Sequence, residues 1–81
     1  MSWDYRIVDE GIAPEKALIL CEVYYRDEKP WMYCHALLAG ETLQEMESDL
    51  QRMHRAFTMG VILSDDFPGP RGNARPPGEE A

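Results

Sequence analysis

Gly40-Glu41-Thr42-Leu43-Gln44-Glu45 decides the fold, because it opens a helix whose position organises the chain on either side. Thr42 and Glu45 form an S/T-x-x-E capping box, in which each side chain satisfies an orphan amide of the first turn. After it, Leu43, Met46, Leu50, Met53 and Phe57 recur at alternating spacings of three and four, which predicts one buried helix face. The helix is expected from Leu43 to about Thr58, with Gly60 where a left-handed C-cap would fall. Glu45, Glu47 and Asp49 crowd its first half and Arg52 and Arg55 its last turns, an order that complements the helix dipole.

Upstream of the helix the periodicity falls to two. Trp3, Tyr5 and Ile7 alternate with Asp4 and Arg6, the pattern of a half-buried strand from Trp3 to Val8. Turn residues around Gly11 and Pro14 end it. A second strand is expected from about Ala17 to Tyr25 and a third from Trp31 to Leu38, joined by the polar turn Arg26-Asp27-Glu28-Lys29-Pro30. Short connections favour a three-stranded antiparallel β-meander, with Val61-Ile62-Leu63 as a possible short fourth strand. The expected class is therefore α+β, βββα in order, with one amphipathic helix packed on one face of the sheet. One domain is assigned to residues 1–63. From Ser64 the chain turns to Pro and Gly with little to bury, so residues 64–81 are expected to be a disordered tail.

At 81 residues there is room for one core, near the size where burial alone just outweighs chain entropy. A net charge of −7 argues against direct nucleic-acid binding and against anionic membranes, and it suits a basic partner or mimicry of a phosphate backbone. Met1 to Arg6 lacks the pattern of a signal peptide, and no apolar run is long enough to span a bilayer. Two cysteines without an export signal then suggest reduced thiols and a cytoplasmic location.

An uninterrupted hairpin centred on Asp27-Glu28 pairs Cys21 with Cys34 and sorts the side chains into two faces. Ile19, Cys21, Val23, Met32, Cys34, Ala36 and Leu38 form an uncharged face suited to lie beneath the helix. The opposite face collects Leu20, Glu22, Tyr24, Trp31, Tyr33 and His35, with Leu18 and Leu37. A single helix covers one side of a sheet, so this aromatic face is expected to bind a partner or a second copy of the chain. A one-residue slip of register would exchange the faces.

No catalytic residues, metal ligands or cofactor are expected. Cys21, Cys34, His35 and His54 fit no zinc-ligand spacing, and the neighbours Cys34 and His35 point to opposite faces of a strand. A Cys21–Cys34 cross-strand disulfide is conceivable only in an oxidising compartment. Glu22 and His35 share a face as diagonal neighbours, but a flat sheet offers no pocket to tune an acid–base pair. Phosphate loops and nucleophile elbows are absent from the sequence.

The blocks Trp3-Asp4-Tyr5-Arg6-Ile7, Glu22-Val23-Tyr24-Tyr25 and Gly40-Glu41-Thr42, with the closing Val61-Ile62-Leu63, resemble a family of small uncharacterised bacterial proteins. Its pattern reads W-(N/D)-Y-R-(V/I), then E-V-Y-Y, then G-E-(S/T), and the resemblance runs from about Trp3 to Phe67. The chain departs from it in a hairpin turn without Gly and at Gly60, where the family tends to have Pro. The resemblance implies a ββ(β)α architecture and no assigned activity. The block Gly40 to Glu45 is also similar to the G-(D/E)-T-x-x-E helix start of HicB-type antitoxins, although the Pro/Gly-rich tail supplies no DNA-binding segment. The functional expectation is a non-enzymatic, acidic protein-interaction module, dimeric or partnered through the aromatic sheet face. The alternative is an acidic inhibitor of a nucleic-acid enzyme, of antitoxin or anti-CRISPR type, that imitates phosphates.

Overall fold

A computed structural model describes residues 2–69 of the chain. Strand β1 (Ser2–Asp9) pairs antiparallel with β2 (Leu18–Arg26), and β2 pairs antiparallel with β3 (Lys29–His35). Helix α1 (Leu43–Arg55) runs on through a 3-10 turn at Ala56–Thr58. The chain then crosses to the far edge of the sheet, where β4 (Val61–Leu63) lies parallel to β1. The architecture is α+β, and the fourth strand makes the sheet mixed, in the order β3-β2-β1-β4.

The capping box is present in full. Glu45 N–H donates to Thr42 Oγ1 (3.1 Å), and Glu45 Oε2 accepts from the amides of Glu41 (2.9 Å) and Thr42 (3.2 Å). Gly60 has φ +81°, the left-handed conformation that ends the helical segment.

The hairpin register departs from the uninterrupted one, and the cause is local. Arg26 faces Lys29 and Tyr25 faces Pro30, but Tyr24 faces Met32. Trp31 is an extra residue in β3, a one-residue bulge beside a proline that has no N–H to give to the ladder. Beyond it the pairing is shifted by one, so Cys21 faces His35 and Glu22 faces Cys34. Cys21 and Cys34 consequently lie on opposite faces, neither in a disulfide, and a cross-strand disulfide between them is excluded.

The shift redistributes both faces. On the helix side lie Trp3, Tyr5 and Ile7 of β1, Leu18, Leu20, Glu22 and Tyr24 of β2, and Met32 and Cys34 of β3. Met53 and Ala56 pack there against Tyr5 and Ile7, while Tyr24, Met32 and Cys34 form a second buried group. Arg52 lies 4.5 Å over the Trp3 ring and so covers a β1 aromatic. The opposite side carries Val8, Cys21, Val23 and Tyr33, closed by Phe67.

That closure corrects the domain boundary. Ser64–Asp66 forms a 3-10 turn, Phe67 is buried against Tyr33 with ring centroids 4.6 Å apart, and Gly69 N–H donates to the Trp31 carbonyl. The domain therefore continues through Gly69. The remainder of the expected tail, residues 70–81, lies outside the described residues. Among the described residues no helix is long and apolar enough to cross a membrane.

Candidate functional site

The six residues expected to form one binding face do not share a surface. Leu20, Glu22 and Tyr24 lie on the helix side, Tyr33 and His35 on the Phe67 side, and Trp31 at the bulge with the Arg26 guanidinium 4.1 Å over its ring. Tyr24 and Tyr33 are buried. The Tyr24 hydroxyl donates to Glu22 (2.7 Å), so Glu22 is engaged with a tyrosine and not with His35.

The carboxylate that meets His35 is Glu10, in the loop after β1. Its Oε2 accepts from the Tyr33 hydroxyl (2.6 Å) and lies 3.0 Å from His35 Nε2. These bonds hold the Glu10 carboxyl below the usual carboxylate range, the Tyr33 hydrogen bond first and the His35 contacts after it, against a desolvation that opposes them. Asp9 next to it accepts the amides of Gly11 (2.9 Å) and Ala17 (3.1 Å), which lower its pKa in the same way and close the 10–17 loop. Glu10, Tyr33 and His35 fasten that loop onto the Phe67 side of the sheet. Burial pushes the Cys21 thiol beneath them up to about 12, so it is a packing group and not a nucleophile. Among the described residues no cluster of three or more His, Cys, Asp or Glu side chains is placed to hold a metal ion.

Among the described residues, an apolar surface is left uncovered on the helix side, beyond the end of α1. Parallel pairing sets Val61 beside Ile7, and antiparallel pairing sets Leu20 on Ile7's other flank. The next row is Leu63, Asp9 and Leu18. Because register fixes side, Val61, Leu63, Leu18 and Leu20 all point toward the helix layer; Leu20 packs against the Met53–Ala56 group, but the helical segment stops at Ala56–Thr58 and leaves the other three exposed. The result is a cleft of about 430 Å³ with Ile7, Leu20 and Ala56 as its floor and Leu18, Phe57 and Val61 as its rim. Leu18, Val61 and Leu63 are each more than half exposed, and Phe57 is 68 % exposed. The outer edge of β4 continues this shelf, since β4 is hydrogen-bonded on its β1 side as the terminal strand of the sheet.

Sequence reasoning grouped Leu20 with an aromatic sheet face, whereas the structure sets it in the cleft with Val61 and Phe57. Leu43, Leu50 and Phe57 were assigned to the buried helix face. The structure turns the Met46, Asp49, Met53 and Ala56 line toward the sheet instead, with Met53 and Ala56 buried and Met46 and Asp49 half-buried, and leaves the leucines and Phe57 outside. The fold and shelf define the class: a small mixed-sheet α+β module with an exposed apolar cleft at one end of its sheet. Comparison with family models, with curated proteins and with solved structures gives no match.

Proposed function

We propose that the protein is a non-enzymatic protein-interaction module that docks apolar side chains of a protein partner on the Leu18–Leu20–Phe57–Val61 shelf. The observation that carries the reading is the open apolar cleft, in which Leu18, Phe57 and Val61 stand around a floor of Ile7, Leu20 and Ala56. Contiguous apolar surface of this kind, beside a strand edge that is open among the described residues, suits an extended segment that lays alternate side chains into a groove. Burial of apolar area is not screened by salt, so such binding persists at ionic strengths where an acidic phosphate mimic would lose its partner.

The test is selection of random linear peptides on the immobilised protein. Peptides rich in large apolar residues, bound with little salt dependence and lost on Leu18→Asp or Val61→Asp, support the reading. Selected peptides that bind both variants as well as the parent chain would refute it, and binders that are uniformly basic and salt-sensitive would favour phosphate mimicry.

A further inference from the structure

Among the described residues, the flank of α1 and of the 3-10 turn that follows it carries a second unpartnered apolar line, independent of the shelf except for Phe57. Leu43, Leu50 and Phe57 follow one another at intervals of seven, and they are 84 %, 52 % and 68 % exposed. At 3.6 residues per turn they lie roughly 80° around the helix from the sheet-facing line through Met46, Asp49, Met53 and Ala56. The helix thus fills the sheet with one stripe and presents another sideways. Glu47 and His54 sit between the exposed apolar residues, so the seam reads Leu43, Glu47, Leu50, His54, Phe57, at alternating spacings of four and three.

That seam nearly maps onto itself when reversed about Leu50. Leu43 and Phe57 stand seven residues to either side, while Glu47 stands three before and His54 four after, so that pair meets offset by one residue. We propose that α1 pairs antiparallel with α1 of a second copy of this chain, on a two-fold axis at Leu50. Leu50 then meets its own counterpart, Leu43 meets Phe57 of the partner, and each Glu47 faces a His54 across the seam. An isologous interface of this kind repeats every contact twice. The parallel alternative sets Glu47 against Glu47, so charge fixes the orientation. The wider helix agrees: its first turn carries Glu45 and its last turns Arg52, His54 and Arg55, which brings opposite ends together only in the antiparallel arrangement. A five-residue seam is small for an interface, so the pair is weak and concentration-dependent.

The experiment is analytical ultracentrifugation of the full chain up to about 1 mM, where a dissociation constant in the micromolar range is readable. The parent chain sediments as a concentration-dependent dimer, and Leu50→Arg sediments as a monomer with an unchanged circular dichroism spectrum. Glu47→Lys and His54→Glu each weaken association about tenfold, two exposed contacts being altered at once. The double variant E47K/H54E regains parental association, because Lys then faces Glu across the antiparallel seam. A monomer throughout, or a dimer that the double variant does not restore, overturns the proposal. These variants lie off the shelf, so peptide binding retained by Leu50→Arg would separate failure here from failure of the docking reading.

Discussion

Gly69 donates its backbone N–H to the Trp31 carbonyl across 2.7 Å, which ties the C-terminal segment to the hairpin at its bulge. A side-chain carbon at Gly69 would lie 2.8 Å from that oxygen and 3.1 Å from Met32 Cβ, so only glycine fits the approach. The bond holds Phe67 over Tyr33. Phe67→Ala is expected to cost about 3–5 kcal/mol, the range for a buried aromatic, and Gly69→Ala about 1–3 kcal/mol from crowding. Urea denaturation measures both. A loss below about 0.5 kcal/mol at Phe67 would mean that residues 64–69 do not belong to the core.

Asp27 and Glu28 form the two-residue hairpin turn with φ of +52° and +65°, both left-handed and neither glycine. A side chain in that region costs about 1–2 kcal/mol per residue, partly relieved for Asp by local hydrogen bonding. Glu28→Gly should therefore stabilise the domain by about 0.5–1 kcal/mol, a rise of a few degrees in Tm at this size. Calorimetry reads it directly.

Acid stability reports on Glu10. Its carboxyl is held below the usual range chiefly by the Tyr33 hydroxyl, so the ionised form stabilises the fold above the ordinary carboxylate pKa. That contribution is lost as pH falls from the ordinary value through the depressed one. Tyr33→Phe removes the strongest of the bonds and should cost about 1–2 kcal/mol at neutral pH. The gap to the parent chain should narrow on acidification, once Glu10 is protonated in both. Melts across pH 2–7 test this, and a gap independent of pH would assign the loss to packing alone.

Cys21 is fully buried and its thiol is pushed up to about 12. Thiolate is the reactive form, so folded protein at pH 8 should leave Cys21 unmodified by iodoacetamide, with labelling only after denaturation. Mass spectrometry of the digested chain locates the label. Oxidation of the folded chain should yield no Cys21–Cys34 disulfide, because the two side chains stand on opposite faces of the sheet.

Much of the fold was legible because its signals are local. The capping box, the strand alternation of Trp3, Tyr5 and Ile7, the Asp27–Glu28 turn and Gly60 each depend on a few neighbouring residues, and each lies where the pattern puts it. The two faces of β3 were not legible, since a single bulge inverts every side chain beyond it. Pro30 was the available signal: a proline in the second strand position of a hairpin cannot complete the ladder. Phe67 was likewise hidden by its setting between aspartates and prolines, although a lone aromatic in such a stretch has reason to seek a core. The helix pattern misled because its stripe is wider than the sheet contact. Met53 satisfies the sheet, while Leu50 and Phe57 from the same stripe remain outside. The shelf could not be read at all without the parallel placement of β4, which depends on where a crossover lands.

Phe57 stands where the shelf and the helix seam meet. It lines the cleft with Leu18 and Val61, it is the last residue of the seam, and its ring lies 5.7 Å edge-on to His54. At 68 % exposure it adds little to the folded core, so Phe57→Ala should change stability by only about 0.5 kcal/mol. The same change removes a rim of the shelf and the group that would meet Leu43 of a second copy. Apolar-peptide binding and self-association should therefore both weaken in Phe57→Ala, whereas Leu50→Arg abolishes only association and Leu18→Asp only peptide binding. Titration calorimetry with a selected peptide and sedimentation on the same samples give the two readouts. Loss of one activity with full retention of the other in Phe57→Ala would show that the surfaces are separate and that only one of them reaches this ring.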